Sequence, residues 1–214
     1  MAGCCDPRGC DNVFGSRFAM HRAGRYRKRG LDATEQRIVG FLVRRGVEGA
    51  SVLEIGGGLG EIQIELLRAG AARATNLELV DAYESEARRL AAEAGVGDRM
   101  QRRLVDIAVT PERVEAADIV VLHRVVCCYP EAGRLLAAAA DHAGQLLVFS
   151  HPPRNLVSRG LLAVPNACFR LRGSTFRTFA HPPREMLSVL REHGLDPVYA
   201  HRGPFWQVVG LERP

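Results

Sequence analysis

From Ser51 onward, apolar residues fall into two alternating rhythms: short continuous runs, and longer stretches whose apolar positions recur three or four apart. The runs predict strands buried on both faces; the periodic stretches predict helices. In chain order the pattern gives a strand at SVLEI (51–55), a helix at EIQIELLRA (61–69) and a strand at ATNLELV (74–80). A helix follows in which Tyr83, Ala87, Leu90, Ala91 and Ala94 recur at helical spacing. Further strands are predicted at QRRLVDI (101–107), ADIVVLHRVV (117–126) and QLLVFS (145–150), with a helix at EAGRLLAAAADHA (131–143). PPREMLSVLREHG (182–194) predicts a helix with proline in its first turn and glycine just past its end. LDPVYAHR (195–202) and FWQVVGLER (205–213) are separated only by Gly203 and Pro204, which predicts an antiparallel pair. Strands alternating with helices are the mark of a mainly parallel sheet.

Two segments stand outside that rhythm. Residues 1–45 are expected to form a cysteine-rich, basic helical cover packed on a sheet domain of residues 46–214. In the cover, Phe14 and Phe18 lie one helical turn apart, Asp32 caps a helix with Glu35 reaching back, and Ile38, Phe41 and Leu42 share one face. Residues 151–183 interrupt the alternation after the fifth strand, and 151–180 are expected to form a lid insert. The same leucine, valine, phenylalanine and arginine content suits a membrane surface, but Pro165 argues against one clean amphipathic helix.

A chain of 214 residues suits one core with decorations. No run approaches the roughly 18 apolar residues that a membrane-spanning helix needs. The opening MAGCCDPRGC has no basic stretch leading into an apolar one, so Cys4 is expected as a plain thiol and the protein as cytoplasmic. Cys4, Cys5, Cys10, Cys127, Cys128 and Cys168 are then expected reduced. They read either as ordinary thiols or, for Cys4, Cys5 and Cys10 with Cys127, Cys128 and His21 or His151, as a thiolate-rich metal site; no paired Cys-x-x-Cys spacing supports the latter. Net charge is +5. Arg17, Arg22, Arg25, Arg27, Lys28 and Arg29 crowd one segment, as a solvated helix face or as a track for nucleic-acid phosphates. Only Tyr26 offers an aromatic platform there, which ranks a nucleic-acid partner below a small molecule.

The chemistry concentrates in LEIGGGLGE (53–61). At the end of the first strand of an open α/β sheet, glycines let backbone approach a nucleotide, and the following helix points free N–H groups at it. Read as G-x-G-x-x-G from Gly56, the third glycine position holds Glu61, a poor neighbour for pyrophosphate. Glu54, Gly56, Gly58 and Gly60, with Gly57 between, instead resemble the E/D-x-G-x-G-x-G motif of class I S-adenosylmethionine-dependent methyltransferases. That resemblance implies a Rossmann-like seven-stranded mixed sheet, S-adenosylmethionine as cofactor, and Glu54 helping to hold its ammonium group. It also implies Glu78, with Leu79 beside it, on the ribose hydroxyls, and Asp106 on the adenine amino group with Ile107 packing on the ring. ADIVVLHRVVCCYP is similar to the fourth-strand motif, which places His123 and Arg124 facing the donor.

A weaker likeness in layout, to magnesium-protoporphyrin O-methyltransferases, implies an anionic acceptor for which Arg154, Arg159, Arg170 and Arg172 are candidate partners. A carboxylate acceptor needs no base; for a hydroxyl or carbon acceptor, His123, His151 and Tyr129 are the candidate bases. Equally, His123 contacts the cofactor and His151 caps a loop. The expected function is methyl transfer to a small carboxylate- or hydroxyl-bearing molecule. The alternatives are an RNA methyltransferase or a non-catalytic cofactor- or metal-binding module.

Overall fold

The structure is a computed structural model that describes Cys10 and residues 13–214. Seven strands form one sheet: β1 (Ser51–Ile55), β2 (Arg73–Glu78), β3 (Met100–Leu104), β4 (Ala117–Leu122), β5 (Ala143–His151), β6 (Asp196–Arg202) and β7 (Gln207–Glu212). Their order is β3-β2-β1-β4-β5-β7-β6, with β7 antiparallel to both of its neighbours and the remaining pairs parallel. Order therefore reverses between β1 and β4, and the crevice at their carboxyl ends is where open α/β sheets take ligands.

The continuous apolar runs bury both faces, as the sequence pattern requires. In β4, Ile119 and Val121 join the core on one face while Val120 and Leu122 join the other. The first face is covered by α1 (Ser16–Arg29), α2 (Ala33–Arg45), α3 (Glu61–Arg68) and α4 (Glu84–Glu93); the second by α5 (Ala132–Asp141) and α7 (Pro183–Glu192). The predicted capping box starts α2: Asp32 accepts from the N–H groups of Thr34 and Glu35, and Glu35 accepts from the N–H of Asp32. The cover packs on the sheet through specific contacts. Tyr26 donates to Glu65 of α3 at 2.5 Å, and Arg27 bonds Glu86 and Glu93 of α4. From α2, the Phe41 ring stacks on Tyr199 with 4.9 Å between centroids.

β2, β3, β4, β6 and β7 are shorter than their sequence patterns suggest, and two of these ends have a visible cause. β3 ends at Leu104 because Asp106 turns the chain, its side chain accepting from Ala108 N–H and its carbonyl from Val109 and Thr110. β4 ends at Leu122, before Arg124 adopts a left-handed φ of 58°. Contrary to what Pro165 suggests in the sequence, α6 (Leu156–Leu171) runs as one helix with Pro165 inside. Asn155 caps its start by accepting from Ser158 N–H, and Asn166, directly after the proline, exchanges hydrogen bonds with Thr178. Those ties offset the backbone bond that proline removes. Among the described residues, no helix is long and apolar enough to cross a membrane.

Gly210 of β7 lies under Phe41, and a Cβ there would meet the ring at 2.5 Å. Gly210→Ala overpacks this junction of cover and sheet, so it should cost about 1–3 kcal/mol. Urea unfolding should show a lower midpoint at unchanged slope; an unchanged midpoint would mean that the cover does not depend on this contact.

Candidate cofactor cavity and active site

At the carboxyl ends of β1, β2 and β4, a cavity of about 220 Å³ opens between sheet and cover. Of the residues expected to touch the cofactor, all line it except Gly60, which sits at the N-terminus of α3 with φ 83°. Gly56 has φ 63°, and a Cβ there would come within 2.5 Å of Val125 Cγ2, so the turn after β1 can pass the loop after β4 only as glycine. A Cβ on Gly57 would sit 2.8 Å from the Glu54 carboxyl, which is tucked beneath the turn.

Carboxylates dominate the electrostatics. Glu54 is 2% exposed and its Oε2 has no hydrogen-bond partner; burial, then the nearby charge of Glu61, pushes its pKa well up. Glu61 and Glu78 are also shifted upward, first by burial. Glu78 stays high although it accepts from the N–H groups of Gly58 (2.9 Å), Leu79 (2.8 Å) and Val80 (3.3 Å). Glu35 differs: burial would raise it, but the Asp32 N–H and Arg22 hold it below the usual carboxylate range. Arg22 of the cover bridges Glu35 and Glu61 at 2.9 Å each, and Arg25 adds a second bond to Glu35. In the sequence Arg22 stands in an undifferentiated basic run and Glu35 in a helix cap. The only signal available was the 22/25 spacing on one helix face, and nothing local pairs Arg22 with a glutamate of α3.

Around Asp106 and β4 the remaining candidates separate. Tyr129 is 3% exposed and its hydroxyl donates to the Asp106 carboxylate, 3.1–3.2 Å from both oxygens. His123 Nδ1 lies 2.9 Å from Ser150 Oγ, while its buried Nε2 has no hydrogen-bond partner and sits 3.9 Å from Glu35. Burial, reinforced by the Arg124 charge, drives His123 down to about 3, so it is neutral at physiological pH. His151 lines neither this cavity nor the one described next; its Nδ1 meets the Pro152 carbonyl at 2.9 Å and its ring stacks on Phe149.

A second cavity, of about 420 Å³, adjoins the first under α6. Phe14, Arg124 and Cys128 line both. Arg154, Arg170 and Arg172 are exposed and line neither, and the Arg159 side chain lies outside the described residues.

For a metal, Cys4 and Cys5 lie outside the described residues. Cys10 is buried against the first cavity, Cys127 and Cys128 place their sulfurs 3.6 Å apart, and His21 is exposed. Among the described residues the group of three that comes near enough to share an ion is Asp32, Glu35 and His123. Its carboxylates already bond Arg22, Arg25 and Arg124.

No protein-family profile matches the chain, and no curated protein matches it in sequence. Solved structures do. The magnesium protoporphyrin IX methyltransferase of Synechocystis PCC 6803 with bound SAH superposes with TM-score 0.75 at 20% identity, over 97% of this chain and 98% of that one. A putative sarcosine dimethylglycine methyltransferase from Galdieria sulphuraria gives TM-score 0.70 at 12% identity, over 92% and 97%. An O-methyltransferase family protein from Burkholderia thailandensis gives 0.69 at 20% identity, over 94% of this chain and 63% of that one. The chain has the class I methyltransferase fold.

Because the folded state raises the pKa of Glu54, it binds that proton more tightly than the unfolded chain does. The associated stability is present below the ordinary carboxylate value and is lost as pH rises through the higher folded value. Asp32 and Glu35, shifted downward, act in the opposite sense, so the difference between variants is the informative quantity. Without ligand, the melting temperature of Glu54→Gln relative to the parent should climb as pH rises through that window. A gap independent of pH would show that Glu54 is not a desolvated acid.

Proposed function

We propose that the chain is an S-adenosylmethionine-dependent methyltransferase acting on a small molecule. The observation that carries this reading is the set of buried acids about the glycine turn, with Glu54 lacking any partner for Oε2. Such a site suits a ligand bearing ammonium and sulfonium charges and no phosphate. The residues fit it: Glu54 would hold the ammonium group, Glu78 the ribose hydroxyls, and Asp106 and Ile107 the adenine. Bound there, the sulfonium supplies an electrophilic methyl group, which passes to an acceptor lone pair as the carbon–sulfur bond breaks with its electrons going to sulfur.

In this reading Tyr129 orients Asp106 and His123 serves as a neutral hydrogen-bonding group. A nitrogen that titrates at about 3 is a weak base for a neutral acceptor. The second cavity receives the acceptor, and the 151–180 segment is its lid. The RNA alternative is disfavoured because Arg22, Arg25 and Arg27, half of the basic run, already bond carboxylates of this chain.

Calorimetry with S-adenosylmethionine and with S-adenosylhomocysteine tests the reading. Both should bind at one site per chain. Glu78→Gln, which trades charge-assisted bonds for neutral ones, should weaken both by about tenfold or more. No heat with either ligand, or unchanged affinity in Glu78→Gln, would refute it.

A further inference from the structure

We propose that the second cavity takes a flat aromatic acceptor with one ionised oxygen acid, its rings against Phe176 and Trp206 and its oxygen on Arg124. This rests on the methyl-transfer reading and adds the class of acceptor.

The walls speak for an aromatic guest. Phe14, Phe169, Phe176, Phe205 and Trp206 all face the space, and Phe176 stands edge-on to Phe14 and Phe169 with centroids 5.3 and 5.2 Å apart. Rings so disposed present edges and faces to a planar π-system, a better match than to a branched aliphatic chain. Among the described lining residues Arg124 is the one that bears a charge. A polyanion or a nucleic-acid backbone would need several cations, and Arg154, Arg170 and Arg172 are exposed outside the cavity.

Arg124 is built to receive one anionic oxygen. Its guanidinium carbon lies 5.1 Å from the centre of the Trp206 ring, and its Nη2 bonds Asp32 Oδ2 at 2.7 Å. Its Nε is buried without a partner, an expensive state for a donor unless a ligand completes it. The residue holds a left-handed φ of 58°, fixed by its backbone N–H donating to Ser150 Oγ at 2.9 Å. Strain of this kind in a non-glycine residue gathers at functional sites. Because Arg124 lines both cavities, an oxygen seated on it faces the donor side.

The acceptor must also arrive ionised. Tyr129 is committed to Asp106, His151 lines neither cavity, and His123 is held neutral with little basicity. The acid proton is left to solvent before binding, so an aromatic carboxylate or acidic phenolate qualifies where an aliphatic alcohol does not.

Trp206 is the only tryptophan in the chain, so its fluorescence reports this cavity alone. Titration with 4-nitrobenzoate, which quenches indole on contact, should saturate at least tenfold more tightly than with nitrobenzene. Hexanoate should not displace it. Arg124→Gln should abolish the preference for the charged ligand. Phe205→Ala, which trims a ring that is 68% exposed and lines only the second cavity, should weaken both nitroaromatics while S-adenosylhomocysteine binding persists. If S-adenosylhomocysteine binds but quenching is linear, or equal for charged and neutral ligands, the proposal is overturned and the donor reading stands. If nitrobenzoate saturates and S-adenosylhomocysteine gives no heat, the donor reading falls and an aromatic-acid site remains.

Discussion

The cost of burying Glu54, Glu61 and Glu78 around one turn is the constraint on which this molecule depends. Desolvated carboxylates without full compensation are unfavourable, and here one cover-helix cation, Arg22, bridges only Glu61 and Glu35. At Glu54 the cost is left uncompensated: its Oε2 has no partner, and burial pushes its pKa well up. A fold selected for stability alone would fill that spot with a neutral side chain; a fold that must attract a cation keeps it.

The same constraint explains the construction around the sheet. The reversal of strand order between β1 and β4 opens the crevice, the glycine turn lets backbone cross it, and the cover both closes it and delivers Arg22. Beyond the loop after β4 the chemistry changes abruptly. Acids give way to an aromatic chamber with Arg124 at the junction, the arrangement that the proposed cationic donor and anionic acceptor would need on opposite sides of one strand end. Of the candidate bases, Tyr129 bonds Asp106, His151 lines neither cavity and His123 is held neutral, which would suit a displacement in which positive charge disappears and alignment supplies much of the acceleration.

What the chain reveals by itself follows the range of the interactions involved. Strand runs and the Asp32–Glu35 cap are local patterns that the fold repeats, several strands at reduced length, and the acids at 54, 78 and 106, singled out by the family resemblance, all line the first cavity. Arg22 meeting Glu61, and Tyr129 reaching Asp106, are contacts between distant segments with no periodicity to betray them. The second cavity escapes for the same reason: its rings come from positions 14, 169, 176, 205 and 206, which only the fold assembles. The arginines at 154, 170 and 172 mislead because charge in an insert says nothing about which way the side chains face. Pro165 misleads because hydrogen bonds from Asn166 to a later segment sustain a helix that local rules would end.

The protons released on donor binding report whether the buried acids face a cation. Burial pushes the Glu54 pKa well up, and an ammonium group placed beside it would favour the ionised form, so donor binding and proton release should be linked. S-adenosylmethionine should be titrated calorimetrically at one pH, above the ordinary carboxylate range, in two buffers of different ionisation enthalpy. The heats should differ in the sense of proton release, and the difference should shrink in Glu54→Gln. Equal heats in the two buffers would contradict that linkage.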